Sequence, residues 1–277
     1  MRLRASIVSL LSLVSVACAA GSARAPMLAY ELPSSAEVTY VVGDTLSIAV
    51  QGLGQGMEIS ARSTATYLLR YDRGAGAVRV TATVETLTAD VVMPMAGPIS
   101  MDEGALEGDF VFELDARGRA TSMSSPQANQ LGGQVFAAPV VAHALFPRLS
   151  GRQVATGDNW VDEVTYREEG EAGVTEVRST LTYTVVGEAQ VNGRALVEMT
   201  FGGTATVTQD LTLEGARINQ ASELEIDGRL RWDASARLLY ESEMSMEGPG
   251  SVSVALLPGA TLPTSVRWRT RVSLQPR

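Results

Sequence analysis

The chain has 277 residues, with 22 Lys plus Arg against 31 Asp plus Glu, one histidine and one cysteine. Every basic residue is arginine, so Schiff-base chemistry and a phosphate-loop lysine are excluded. His143 alone cannot build a multi-histidine metal site, and with Cys18 at the N-terminus the body has neither disulfide nor thiol nucleophile.

Met1-Arg2-Leu3-Arg4 is a short basic start, followed by the apolar, serine-interrupted stretch Ala5 to Val16. A charged start, a short apolar run and small residues after it predict a secretory signal peptide. The run is shorter than the roughly 20 apolar residues a membrane-spanning helix needs. Three processing readings stay open. Ala23-Arg24-Ala25 fits an A-x-A site but places Pro26 after the cut, and Ala17-Cys18-Ala19 is a second such site. The third rests on Ser15-Val16-Ala17-Cys18, which resembles the lipobox of bacterial lipoproteins, with serine where leucine is usual. The resemblance implies that Cys18 is lipidated and becomes the first mature residue. Two or more acyl chains would anchor the protein stably.

The body that follows predicts a mainly β fold. Arg2, Arg4 and Arg24 lie among residues 1–25, which hold no acid, so removing them takes the net charge from −9 to −12. Such a surface repels nucleic acid and anionic headgroups. Val78-Val80-Ala82-Val84 alternates with Arg79-Thr81-Thr83-Glu85, and Thr175 to Val185 alternates in the same way. Period 2 with Val and Thr marks half-buried antiparallel strands. The breaks between strands are turn sequences: Asp72 to Gly76, Asp115 to Gly118 and Gln190 to Gly193.

Three anchors recur in order. Gly43-Asp44-Thr45-Leu46 returns as Gly157-Asp158-Asn159-Trp160. Ser63 to Tyr67 returns as Ser179 to Tyr183, and Leu114 to Arg119 as Trp232 to Arg237. They predict a duplication over roughly 36–125 and 150–247, each copy about five strands. The expected organisation is a leader and tether over 1–25, a first β repeat over 26–125, a linking helix over 126–149, and a second repeat with a C-terminal strand pair over 150–277. The helix is expected to open at Ser125-Pro126, run to Phe146 and break at Gly132-Gly133 and Pro139. The closing strands are expected at Ser251–Leu256 and Ser265–Leu274, joined by a loop from Leu257 to Pro263.

The candidate chemistry is sparse, and no residue is expected to be catalytic or to bind a cofactor or metal. His143 reads as a packed helix residue, since no G-x-S-x-G serine accompanies it. Gly52 to Gly56 reads as a hairpin loop, because strand-like Met57 to Ser60 follows where a nucleotide site needs a helix. Asp102, Glu103, Glu107 and Asp109 lack calcium-loop spacing and read as solvated acids. Trp160 and Trp232 read as core. Arg267, Arg269 and Arg271 share a strand face and are expected to pair with the carboxylates Glu241, Glu243 and Glu247.

The leader, the lipobox-like cysteine and the duplicated β unit resemble uncharacterised bacterial envelope lipoproteins. That resemblance implies a non-enzymatic β domain in the periplasm or outer membrane, without cofactor, binding a ligand or an envelope partner. A curved sheet with a helix across its mouth is similar to lipoprotein-carrier domains, which implies an apolar or lipid ligand. Two other readings stand beside it. One is a carboxylate-dependent hydrolase. The other is a membrane β-barrel, to which the low aromatic content (5%) is unsuited.

Overall fold

The alternation seen in the sequence builds antiparallel strands, several well beyond the 3–10 residues usual in globular proteins. The computed structural model describes residues 25–52, 56–75, 78–93, 97–128, 137–170, 173–213, 216–254 and 261–275. The leader and Cys18 lie outside them, as do Leu53 to Gln55, Leu131 to Val135 and Ala255 to Ala260.

The first half forms β1 (Glu37–Val50), β2 (Met57–Arg73), β3 (Val78–Met93), β4 (Gly97–Asp102), β5 (Leu106–Glu107), β6 (Phe110–Leu114), β7 (Ala120–Ser124) and β8 (Gln127–Ala128). After helix α1 (Ala138–Leu145) come β9 (Asn159–Gly170), β10 (Gly173–Val191), β11 (Arg194–Leu213), β12 (Ala216–Asp233), β13 (Leu238–Val254) and β14 (Thr261–Leu274). Twelve strands form one sheet in the order β7-β6-β3-β2-β1-β14-β13-β12-β11-β10-β9, with β4 hanging on β3. The fold is therefore mainly β and antiparallel, as the sequence predicts. Two five-strand meanders, β1-β2-β3-β6-β7 and β9-β10-β11-β12-β13, meet through β14, which pairs β1 on one side and β13 on the other.

The sheet curls. Residues from all the long strands share one buried core, with Tyr40, Val80, Phe112, Leu181, Met199 and Trp232 each at most 1% exposed. The opposite face is polar: Glu223, Glu225, Asp227 and Arg229 on β12 and Arg267, Arg269 and Arg271 on β14 are all exposed. A strand facing hydrocarbon needs apolar residues at those outward positions. This convex face is chemically a water-facing one.

Register is adjusted by β-bulges. Thr66 pairs Thr86 and Tyr67 pairs Val84, so Glu85 is an extra residue. Both Val84 and Leu87 can then face inward although they are an odd number of residues apart. Glycines permit tight crossings. A Cβ on Gly203 would strike the Thr180 carbonyl, and one on Gly248 the Glu223 carbonyl.

One end of the curl is closed. The chain at Leu28, Ala29 and Tyr30 is buried there. Tyr30 donates its N–H to Ala116 in the β6–β7 turn (2.9 Å), and Ser34 donates to Ala236 in the β12–β13 turn (3.2 Å). Tyr30 packs edge-on against Phe146 and Trp232, and Phe146 against Phe112, so aromatic rings bridge the two meanders.

Asp115 and Asp233 occupy corresponding turns. Asp115 Oδ1 accepts from the backbone of Arg117 and Arg119 (both 2.8 Å), and Asp233 Oδ1 from Ser235 (3.1 Å) and Ala236 (2.8 Å). Each turn holds one left-handed residue, Gly118 at φ 81° and Arg237 at φ 60°.

Several expectations need correction. Gly43 lies inside β1, whereas Gly157, at φ 91°, precedes β9. The register matches a different pair: Tyr40 faces Tyr67 as Trp160 faces Tyr183. The Gly-Asp pair therefore lies mid-strand in one half and in a turn in the other, and the first anchor does not mark equivalent positions. No helix opens at Ser125-Pro126, because Gln127–Ala128 pairs with Leu106–Glu107 as the small β5–β8 ribbon. The helix is eight residues long, with Pro139 in its first turn, where a missing N–H costs nothing. Ser251 to Val254 is the end of β13 and not a separate strand, since β13 continues through Gly248-Pro249-Gly250.

Candidate functional site

Inside the curl, α1 touches the edge strand β7 and the central strand β14. One row across the sheet runs through Tyr183, Phe201, Met244 and Thr270, which line a cavity together with His143 and Ala144 of the helix. Tyr183, Phe201, Gly228, Met244, Thr270, Asp44 and Ser63 are successive register partners. Most of that row is apolar, and Asp44 is the charged member.

Asp44 faces inward because β1 alternates Val38, Tyr40, Val42, Asp44, Leu46, Ile48, and the first three are at most 6% exposed. Its Oδ1 accepts from Trp268 Nε1 (3.1 Å) and Thr270 Oγ1 (2.6 Å). Oδ2 has no hydrogen-bond partner among the described residues. Burial pushes the carboxyl above its ordinary range, and the two hydrogen bonds only partly offset it.

Above Thr270 lies a cavity of about 20 Å³, room for one water-sized molecule, lined by His143, Tyr183, Phe201, Ser242, Met244 and Thr270 among others. His143 therefore sits on the helix as expected, but at a cavity wall. Burial, aided by the nearby Arg148 charge, pulls its pKa down to about 4, with Asp162 opposing. At neutral pH the imidazole is uncharged.

A second polar cluster lies at the seam between the sheet's two edges. Asp162 on β9 is 2% exposed and faces three guanidinium groups, Arg148 at 3.3 Å, Arg117 at 3.6 Å and Arg119 at 3.7 Å. Among the described residues neither of its oxygens has a hydrogen-bond partner, nor do the buried Arg148 Nε and Trp160 Nε1.

The other sequence candidates are dispersed. Asp102, Glu103 and Glu107 are exposed, and Asp102 caps a single 3-10 turn through Gly104 N (3.0 Å). Trp160 and Trp232 are core residues at 9% and 1% exposure. Arg271 reaches Glu243 (3.4 Å), which Arg229 also holds (2.7 Å). Arg267 stands opposite Glu247 and Ser47, and Arg269 opposite Ser245 and Thr45, with no ion pair at either among the described residues. Internal pairing thus holds for one arginine of the three.

Sequence reasoning missed Asp44 and Asp162. Asp44 entered only as part of the recurring Gly43-Asp44 anchor, although an acid replacing an apolar residue in the Val38 to Ile48 alternation was the available signal. Asp162 likewise replaces an apolar residue in the alternation Trp160, Val164, Tyr166, and that was the available signal.

No family model matches the chain, and no curated protein matches it in sequence. Among solved structures, the β domain of the Bordetella autotransporter BrkA is similar at 10% identity, covering 88% of this chain and all of that one, with a TM-score of 0.24. DynF from the dynemicin biosynthesis pathway of Micromonospora chersina gives 10% identity over 89% of this chain and 84% of that one, at TM-score 0.22. Salmonella typhi OmpF in complex with daunomycin gives 5% identity over 85% and 97%, at TM-score 0.24.

Proposed function

We propose that this chain is an exported, non-enzymatic envelope protein, tethered to the membrane by lipid on Cys18, whose curled sheet binds an apolar ligand in its lumen. The observation that supports it is uneven packing along the inward face. At the closed end, Tyr40, Tyr67, Phe112 and Trp232 are at most 3% exposed. Between it and the β1–β2 loop, the inward residues Leu46, Ile48, Ile59, Val177, Val207 and Trp268 are only half-buried, although Val50 and Leu262 beyond them are each 8% exposed. An apolar concavity left partly uncovered is the form a ligand site takes. The charged convex face suits a water-filled compartment, and a tether on Cys18 suits a domain that does not enter the bilayer itself.

The test is mass spectrometry of the native protein extracted from membranes. The expected result is an acylated N-terminal Cys18 peptide and a co-purifying apolar molecule. A mature chain that starts at Pro26 without lipid, and carries nothing, overturns the proposal. Fractionation gives a second check, with a Cys18→Ala variant moving from the membrane pellet to the soluble fraction.

A further inference from the structure

A carboxylate pointing into an apolar lumen is costly unless something compensates it. Among the described residues, the groups that bond Asp44 are neutral donors, the Trp268 indole N–H and the Thr270 hydroxyl, and both go to Oδ1. No arginine among the described residues forms an ion pair with it. Asparagine would accept the same two bonds through its amide oxygen and carry no charge. The two hydrogen bonds therefore explain an acceptor at this position and leave the charge unexplained.

The surroundings give that charge a use. Leu46 follows two positions along β1 on the same face, Trp268 lies across from Leu46 in register, and Met244 lies across from Thr270; all three are half-buried. The indole of Trp268 is held beside the carboxylate by its own hydrogen bond, and indole rings attract cations. The chain as a whole carries a net charge of −9, which draws cations and repels anions.

Resting on the lumen reading above, we infer that Asp44 is the polar anchor of the lumen, and that the ligand it suits is an amphipathic cation, an apolar body with an ammonium or similar positively charged head. The head pairs with the free Oδ2 and the body lies along Leu46, Ile48 and Trp268. Thr270 is a positioning residue that holds the carboxylate in place.

The experiment uses the full chain carrying Cys18→Ala, so that no detergent is required. Three probes share one alkyl chain: dodecyltrimethylammonium, dodecyl sulfate and dodecyl maltoside. Each is added below its micelle concentration at neutral pH and low salt. Binding is followed by equilibrium dialysis and tryptophan fluorescence, with the fold checked by circular dichroism. The expected order is cation tightest, neutral weaker, anion weakest. Asp44→Asn should weaken the cation about tenfold and leave the maltoside unchanged, whereas Thr270→Val should keep the preference for the cation. If all three probes bind alike and Asp44→Asn changes nothing, the lumen reading stands and the role of Asp44 is wrong. If none binds, the lumen reading fails and this inference falls with it.

Discussion

Asp162 Oδ2 lies 3.3 Å from Arg148 Nε, and through Oδ1 the same carboxylate faces Arg117 at 3.6 Å and Arg119 at 3.7 Å. Asp162 belongs to β9, one edge of the sheet, while Arg117 and Arg119 belong to the turn that opens β7, the other edge. The sheet does not close by hydrogen bonds between its edges, since β7 and β9 do not pair. Across this seam one buried carboxylate faces three guanidinium groups.

Removing that carboxylate should open the seam. Asp162→Ala leaves Arg148, whose side chain is 15% exposed, facing two other cations. Breaking a buried pair from one side costs about 3 kcal/mol or more. The expected outcome is a lower melting temperature together with faster amide exchange in β9 and β7 than in β1 and β14. Unchanged exchange at both edges would show that the seam is held elsewhere.

Acid should destabilise the protein through His143. Its ordinary pKa of 6.5 is lowered to about 4 in the fold, so between those values the unfolded chain takes up a proton that the folded chain does not. Stability is complete above pH 6.5 and falls as pH drops toward 4, by on the order of 2 kcal/mol for a half-buried group. Asp44 works in the opposite sense, because its raised pKa favours the protonated folded form as pH falls. His143→Gln should flatten the loss between pH 6.5 and 4 in chemical denaturation, and Asp44→Asn should raise stability at pH 7.

The arginine row of β14 should respond unevenly. Arg271→Glu places a second carboxylate beside Glu243 and should lower the melting temperature, with Glu243→Arg restoring part of the loss at low salt. The effect is small, about 0.2–1 kcal/mol, because the pair is exposed. Arg269→Glu, opposite Ser245 and Thr45, should change stability less than Arg271→Glu does. Thermal melts of the single and double variants at two salt concentrations decide it.

Two glycines should separate packing from propensity. Gly203→Ala drives a methyl group into the Thr180 carbonyl of the neighbouring strand, so a loss of about 2 kcal/mol or more is expected. Gly187→Ala, with nothing within 4 Å of its new Cβ, should be close to neutral. Equal effects on the denaturation midpoint would mean that the tight crossing of β10 and β11 relaxes.

Much of the strand content was legible because period-2 alternation is a local property. The runs at Val78 to Val84 and Thr175 to Val185 needed only their own side chains to announce which face is buried. The turns at Asp115 and Asp233 were legible for the same reason, since an aspartate bonding its own backbone two residues on is local chemistry. The helix was overextended because proline and serine mark a helix start only when the next residues are free to coil. Gln127–Ala128 is instead captured by Leu106–Glu107, a partner about twenty residues away.

By itself, then, the sequence determined a mainly β chain with alternating faces, its hairpin turns, and the absence of lysine or multi-histidine chemistry. Tertiary structure alone decided that β14 joins the two meanders, that the sheet curls until Asp162 meets Arg117 and Arg119, and that Trp268 and Thr270 are the groups that bond Asp44. The physical reason is range. Strand alternation is set by neighbouring residues, whereas the company a buried carboxylate keeps is set by strands more than a hundred residues apart, whose meeting no local pattern encodes.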